Sequence, residues 1–242
     1  MRYLFCFSYN GAKYHGWAKQ PNLITVQSTL EKKLQLIFNE TINLIVSART
    51  DRHVHAIRQY CHFDVKTSRI STNKLVGIVN RLLPDDIRAI SFHKVSEKFH
   101  ARFCAKGKIY VYIVNTDEHF NVFHGNLVYQ YGKKINYKKC QNIVKYFIGK
   151  HDFLSFTTEI RHPTEREIKD IKIFKKDKLF FFVFIAPSFL RSMVRMIVGS
   201  ILAYNENKID RKSFLKLFSF PSKGKAGFSV PGCGLYLVDV IY

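Results

Sequence analysis

The order of apolar patterns along the first hundred residues restricts the fold more than any other feature of this 242-residue chain. Short alternating runs such as RYLFCFSY (2–9) predict strands, because successive side chains of a strand point to opposite faces. Apolar residues three or four positions apart predict helices, as in TVQSTLEKKLQLIF (25–38), where Thr25 is the expected N-cap. The predicted order is β-α-β-β-α-β, which is that of a ferredoxin-like split βαβ unit. The other predicted elements are the strands TINLIVSA (41–48), IRQYCHFDV (57–65) and IRAISFHKV (87–95), and a helix STNKLVGIVNRLL (71–83) in which Leu75, Val79 and Leu82 align before Pro84.

The second half of the chain repeats this order more loosely. LFFFVFI (179–185) shows no polar alternation, so it predicts a strand that needs cover on both faces. We therefore expect an α+β protein with two ferredoxin-like halves, residues 1–104 and 105–242, whose antiparallel sheets run edge to edge and form a central cleft. The other predicted elements here are the strands IYVYIV (109–114), IKDIKIF (168–174) and GLYLVDVIY (234–242), and the helices NYKKCQNIVKYFIG (136–149), SFLRSMVRMIVGSILAY (188–204) and DRKSFLKLF (210–218).

The charge of the chain indicates a polyanionic partner. Lys and Arg number 39 against 18 Asp and Glu, which gives a formal net charge of +21 spread along the whole sequence. A folded basic face for nucleic acid is the favoured interpretation, and a solvated lysine-rich surface is the alternative. An anionic membrane surface is a weaker option, because no basic amphipathic helix stands out.

Two classes of protein are not expected from this sequence. No apolar run reaches the length of a membrane span, so no span is predicted. The five cysteines are scattered and contain no CxxC pair, which argues against a disulfide framework or a zinc knuckle and fits a reducing cytoplasm.

One short segment, SARTDRHVHA (47–56), contains the best candidate for chemistry. Asp51 falls in the connection between two predicted strands, where working residues are often presented, although Asp is also a common turn former. A metal site needs His53, His55 and a third ligand, and His62 falls on the opposite strand parity. We therefore expect no metal site.

The same segment resembles GRTDAGVHA, the signature of the tRNA pseudouridine synthase A (TruA) family. Further segments resemble family motifs in the family's order, over nearly the whole chain. The resemblance implies the two-part fold, isomerisation of uridine to pseudouridine at positions 38 to 40 of the tRNA anticodon arm, a homodimer, and no metal or other cofactor. The further segments are FSYNGAKYHGWAKQP (7–21) with TVQSTLEKKL (25–34), FHARFCAKGKIYVYIV (99–114), HDFLSF (151–156), FLRSMVRMIVGSIL (189–202) and GLYLVDVIY (234–242).

The resemblance also assigns roles to individual residues. Asp51 matches the catalytic aspartate, and a carboxylate held in a site closed to water serves such a step as nucleophile or base. Arg195 matches the arginine that pairs with that aspartate, although it would otherwise be a solvated helix residue. Tyr110 matches the tyrosine that stacks on the target base, although a core aromatic is the alternative. Arg49 matches the arginine that takes the space of the flipped base, and a phosphate contact or a turn arginine is its alternative.

The segment departs from the family pattern at several positions. Ala48 replaces the first Gly, Arg52-His53 replaces Ala-Gly, and Asn10 replaces an acidic residue after the first strand. A histidine is costly wherever the backbone has a positive φ. We expect the loop to keep its shape and Arg52 to contact a phosphate of the RNA, with a distorted loop as the alternative.

Two other functions remain open at this point. The first is a noncatalytic RNA-binding protein on the same scaffold, and the second is a metal-independent ribonuclease that uses Asp51, His53 and His55.

Overall fold

A computed structural model of the chain describes residues 1–159 and 163–242. The backbone groups into two units. The first unit consists of Met1–Lys106 with the closing segment Tyr236–Tyr242, and the second of Gly107–Leu235. The predicted α+β class is confirmed. The elements along the described residues are β1 (Arg2–Tyr9), α1 (Val26–Phe38), β2 (Ile45–Val46), β3 (His55–Asp64), α2 (Thr72–Leu82), β4 (Ile87–Val95), β5 (Gly107–Asn115), β6 (Tyr129–Gln130), α3 (Tyr137–Val144), β7 (Gly149–Asp152), β8 (Glu165–Ile168), β9 (Asp170–Lys176), β10 (Leu179–Ala186), α4 (Met193–Asn205), α5 (Arg211–Ser219) and β11 (Leu235–Ile241).

The first unit has the predicted β-α-β-β-α-β order. Its β1 lies between β4 and β3 and runs antiparallel to both, so that Phe5 lies opposite Phe92 on one side and Cys61 on the other. The short β2 pairs antiparallel with β3, and β11 pairs parallel with the start of β3. This is the sheet of a split βαβ unit with one additional strand.

Alternating aromatic side chains of β1 form the core of the first unit. Tyr3, Phe5 and Phe7 are completely buried, and Tyr3 contacts Phe38 of α1 through their rings. Thr25 caps α1 as predicted and accepts a hydrogen bond from the Ser28 backbone N–H. The sequence aligns Leu82 with Leu75 and Val79 on one face of α2, and the latter two side chains are buried. Leu82 is 37% exposed, and Leu83 is buried in its place because the chain leaves the helical conformation there, before Pro84.

The strand predicted over residues 41–48 shortens to Ile45–Val46 because side chains bind its flanking backbone. The buried carboxylate of Glu31 accepts a hydrogen bond from the Leu44 N–H at 2.9 Å. The Gln59 side-chain amide donates to the Ala48 carbonyl, also at 2.9 Å. These backbone groups are therefore satisfied without a strand partner.

The sheet of the second unit contains β9, β10 and β5 in antiparallel array. Phe182 and Phe184 on β10 are completely buried and lie opposite Tyr112 and Tyr110 on β5. The intervening residues of β10, including Phe181, are only half-buried. Burial along β10 thus alternates, although the sequence of the strand does not, and its second face is only partly covered within the chain.

Helix α4 begins five residues later than the sequence predicts. Ser192 has φ 60°, a left-handed conformation, and the Met193 N–H bonds to the Leu190 carbonyl in a separate turn. Leu190 therefore lies outside the helix, in contrast to the prediction. Gly199 on α4 packs against the backbone of Phe228, where a Cβ atom would approach within 2.8 Å.

The connection from β4 to β5 is tied to the sheet of the first unit by several hydrogen bonds. His62 on β3 is 1% exposed, and its Nδ1 accepts the Ala101 N–H at 3.1 Å. The Tyr242 hydroxyl donates to the Ala101 carbonyl at 2.8 Å, and the Arg2 guanidinium donates to the Phe99 carbonyl at 2.8 Å. This connection is therefore held from several sides.

Burial lowers the pKa of His62 to about 4, with smaller lowering effects of Arg2 and His100 and an opposing effect of Asp64. The folded-state pKa of His62 lies below the ordinary value of 6.5, so the folded protein favours the neutral ring. The stability that this difference contributes is complete above pH 6.5. It is lost as the pH falls towards 4, because the unfolded chain takes up the proton first.

We predict that the wild type loses about 2 kcal/mol more unfolding free energy between pH 7 and pH 4.5 than His62→Gln does. Glutamine keeps a hydrogen-bond acceptor and does not titrate. Urea unfolding at the two pH values measures this difference. His93→Gln, at an exposed position of β4, should behave as the wild type. Equal acid losses in the wild type and His62→Gln would contradict the assignment.

Candidate active site

The loop between β2 and β3 carries Asp51, and its first half is held by buried side chains. The Ser47 hydroxyl donates to the Gln59 amide oxygen at 2.9 Å, and the same amide donates to the Ala48 carbonyl. The hydroxyls of Thr50 and Tyr9 are hydrogen-bonded at 2.8 Å. Burial raises the pKa of Tyr9 to about 12, so its phenol stays protonated over the physiological range. The residues before Asp51 therefore have fixed positions.

The second half of the loop is a tight turn. The Val54 N–H donates to the Asp51 carbonyl at 3.2 Å. His53 has φ 64°, the conformation that favours glycine. Its ring Nδ1 lies 2.8 Å from the Ala12 carbonyl oxygen, and its backbone N–H donates to the Tyr14 carbonyl at 3.4 Å. His53 thus adopts a positive φ with hydrogen bonds that offset part of the cost.

Two glycines allow the segment after β1 to lie directly against this loop. A Cβ atom on Gly11 would lie 2.0 Å from the Val54 carbonyl oxygen. A Cβ atom on Gly16, which has φ 87°, would lie 2.7 Å from the Thr50 carbonyl oxygen. The Trp17 N–H donates to that same carbonyl at 3.1 Å. The backbone on both sides of Asp51 is therefore fixed by backbone contact.

These contacts present three predicted site residues on one loop. Asp51 is half-buried, whereas Arg49 and Arg52 are exposed. A carboxylate on so restrained a backbone has only its own side-chain torsions to lose when it meets a substrate. Such an arrangement suits a group that must act as a nucleophile or base at one defined position.

The histidines near Asp51 bind backbone groups of the fold. His55 is buried, its Nδ1 accepts the Gly11 N–H at 3.0 Å, and its ring stacks on Tyr236 at 4.6 Å. The His53 ring lies against Ala12. Among the described residues, no group of three or more His, Cys, Asp or Glu side chains is arranged to hold a metal ion.

The other two predicted site residues belong to the second unit. Tyr110 on β5 is 7% exposed, and its ring meets Phe189 edge to face at 5.2 Å. Arg195 on α4 is half-buried, and its Nε donates to the Val230 carbonyl at 2.8 Å. Its own carbonyl accepts the Val230 N–H at 3.3 Å, so side chain and backbone of Arg195 hold the same residue.

The supporting residues of the loop, above all Gln59, Tyr9 and Gly16, were not predicted from the sequence. A signal for Gln59 exists, since it occupies a position of β3 whose alternate neighbours Cys61 and Phe63 are apolar. A polar residue at a core position of a strand needs a buried partner, and here that partner is the loop.

A matching family model and several similar proteins share one name. A family model described as tRNA pseudouridine synthase matches residues 5–104 and 143–242. A protein of Malacoplasma penetrans named tRNA pseudouridine synthase A is 48% identical over 244 residues, which covers all of both chains. Proteins of the same name from Mycoplasma genitalium and Acetivibrio thermocellus are 39% and 34% identical, over 98% and 96% of their lengths and 100% and 97% of this chain.

We predict that Gly16→Ala lowers the free energy of unfolding by at least about 2 kcal/mol, because the methyl group meets the Thr50 carbonyl and the positive φ becomes strained. Chemical denaturation measures the change. Gly77→Ala is the matched control, since its Cβ would meet nothing within 4 Å on the exposed side of α2. That control should gain about 0.5–1 kcal/mol. Equal effects at both glycines would contradict the close approach.

Proposed function

Because the chain belongs to the tRNA pseudouridine synthase family, it isomerises uridine to pseudouridine in tRNA, and we propose that it acts at positions 38 to 40 of the anticodon arm with Asp51 as the catalytic carboxylate. The assignment of this activity rests on the full-length similarity to proteins named tRNA pseudouridine synthase A. Support for Asp51 comes from its match to the family signature and from the restrained loop that presents it.

The proposed reaction moves uracil on its own ribose. The bond between uracil N1 and ribose C1′ breaks, the base turns, and C5 bonds to C1′. The proton on C5 leaves and N1 gains one, so the product is an isomer and no oxidant or reductant is consumed. A fixed carboxylate at the ribose serves this exchange as a nucleophile at C1′ or as a base.

Three further residues are proposed to contact the target base or the catalytic carboxylate. Tyr110 matches the family tyrosine that stacks on the target base, and its contact with Phe189 holds the ring in one orientation. Arg195 matches the arginine that pairs with the catalytic carboxylate, and a guanidinium in that role favours the charged acid. Arg49 is exposed and is proposed to take the space of the flipped base.

We also propose a homodimer in the cytoplasm. The partly covered face of β10 is apolar, and Phe174, 48% exposed, stacks there on Phe181 at 4.8 Å. A second copy of the chain is a suitable cover for such a face.

The proposed location in the cytoplasm rests on the cysteines. All five cysteines are free thiols, which fits a reducing compartment. Within the described residues no helix is long and apolar enough to cross a membrane.

Light scattering should give twice the chain mass of 28.4 kDa at micromolar concentration. Phe174→Lys should shift the population towards the single chain, because it places a charge in the proposed contact. A wild type of single-chain mass at working concentration would contradict the dimer.

We predict that Asp51→Ala and Asp51→Asn lower single-turnover pseudouridine formation by at least roughly a thousand-fold while tRNA affinity stays nearly unchanged. The catalytic step loses its carboxylate, whereas binding rests mainly on phosphate contacts. Release of tritium from uridine C5 measures the first quantity and filter binding the second.

The matched control is Asp85→Asn, an aspartate of the same unit on the exposed connection before β4. It should retain the wild-type rate. A variant at Asp51 that keeps a tenth of the rate would remove this residue from the catalytic role.

The positions that depart from the family pattern give a further prediction. His53 already has the positive φ that favours glycine, so His53→Gly should change the shape of the loop little. Arg52 directly follows Asp51 and is exposed, where the ribose-phosphate of the target nucleotide is proposed to pass.

The net charge predicts that tRNA binding depends strongly on salt. For a chain of charge +21 that neutralises about six phosphates, affinity should fall roughly a thousand-fold between low and moderate salt.

Arg52→Ala combined with His53→Gly should weaken tRNA binding and reduce the slope of log affinity against log salt by about one. Its single-turnover rate at saturating tRNA should stay close to that of the wild type. Affinity titrations at several salt concentrations measure the slope. A tenfold faster saturated step would instead show that the loop of the wild type is strained.

A further inference from the structure

The connection from β4 to β5 displays an aromatic side chain to solvent. Phe103 is 76% exposed, although its ring stacks on His100 at 4.3 Å and the Arg102 guanidinium lies 5.7 Å from its centroid. We name the side chains of His100, Arg102 and Phe103 the aromatic platform. None of them has a role in the reaction described above.

The aromatic platform is held rigidly. The His100 Nδ1 accepts the backbone N–H groups of Arg102 at 3.2 Å and Phe103 at 3.3 Å, and the His100 carbonyl accepts the Cys104 N–H at 2.9 Å. Ala101, between them, is bound to His62 and Tyr242 as described above. An exposed aromatic ring on a restrained backbone loses little freedom when it is covered, which favours binding.

We propose that the aromatic platform stacks an unpaired base of the RNA substrate, an inference that rests on the proposed function. Aromatic rings and guanidinium planes are the surfaces on which proteins hold single-stranded bases. Lys98, Arg102 and Lys106 are exposed cations of the same connection, and the Arg102 guanidinium lies beside the Phe103 ring, so this segment suits the phosphates that flank a bound base. An apolar protein partner fits less well, because the charged Arg102 guanidinium lies 5.7 Å from the ring centroid.

The base on the aromatic platform is not the target uridine. His62, which anchors the platform, lies seven residues beyond His55 on β3, or roughly 23 Å along the strand from the end nearest the Asp51 loop. Ring steps of 4.8 Å from His62 to His100 and 4.3 Å from His100 to Phe103 cover less than half of that length. The platform therefore holds a second nucleotide and sets how the tRNA lies on the first unit.

A tryptophan at position 103 reports the contact directly. The chain has one tryptophan, Trp17, which is 2% exposed and supplies a constant background. With unmodified tRNA, Phe103→Trp should lose most of its added fluorescence as a base stacks on the indole. The matched control is Phe220→Trp, placed at a 67% exposed phenylalanine of the second unit, and its emission should stay unchanged. Unquenched emission from position 103 at saturating tRNA would overturn the proposal.

Affinity gives the second test. Phe103→Ala and Phe103→Leu should each raise the Kd for tRNA roughly ten-fold, because leucine restores apolar area without a π face, whereas Phe103→Trp should stay within about three-fold of the wild type. Phe220→Ala should bind as the wild type. Unchanged affinity in Phe103→Ala, or a change only in its oligomeric mass, would overturn the proposal and in the latter case assign the surface to protein contact.

Failure of this inference is distinguishable from failure of the proposed function. Fluorescence and binding do not depend on turnover, so they test the aromatic platform even with an inactive preparation. A wild type that binds tRNA and makes no pseudouridine would contradict the proposed function alone. A wild type that makes pseudouridine while position 103 is insensitive to tRNA would contradict the platform alone.

Discussion

Direct backbone contact between the segment after β1 and the loop after β2 is the constraint on which the candidate site depends. Gly11 and Gly16 leave no room for a Cβ atom, and the Thr50 carbonyl is bound by a backbone N–H of that segment. Asp51 follows Thr50 directly, so its position is set by the fold of the first unit and not by a flexible loop. A carboxylate fixed in this way pays its ordering cost during folding, before the substrate arrives.

Three buried polar side chains of β3 hold the neighbouring segments of the first unit in place. Gln59 holds the start of the loop, His55 binds the Gly11 N–H, and His62 holds the connection that carries the aromatic platform. Each satisfies a backbone group of a neighbouring segment, and the N–H groups of Gly11 and Ala101 are buried ones. The same strand therefore fixes the proposed catalytic loop near one end and an exposed RNA-binding candidate near the other. A tRNA that contacts both would be oriented by one rigid element.

Much of this fold was predictable, because strands and helices with regular apolar spacing show their type in the sequence. The elements that differ from the prediction depend on features that a local apolar pattern does not show. The shortening of β2 requires the side chains of Glu31 and Gln59, and the late start of α4 follows from the left-handed Ser192. The pairing of β11 with β3 joins segments about 180 residues apart, on which a local pattern carries no information. Asp51 is identified because its segment resembles a family signature, whereas the backbone contacts that hold its loop are visible only in the structure.

We propose that this basic protein makes pseudouridine in the anticodon arm of tRNA with its own residues. The most direct measurement is to incubate the purified protein with an unmodified tRNA transcript in the presence of a chelator, and then to map pseudouridine along the recovered RNA. We expect an intact RNA strand with pseudouridine confined to positions 38 to 40. Pseudouridine elsewhere, a cleaved chain, an unchanged transcript, or activity that returns only when zinc is added would each contradict it.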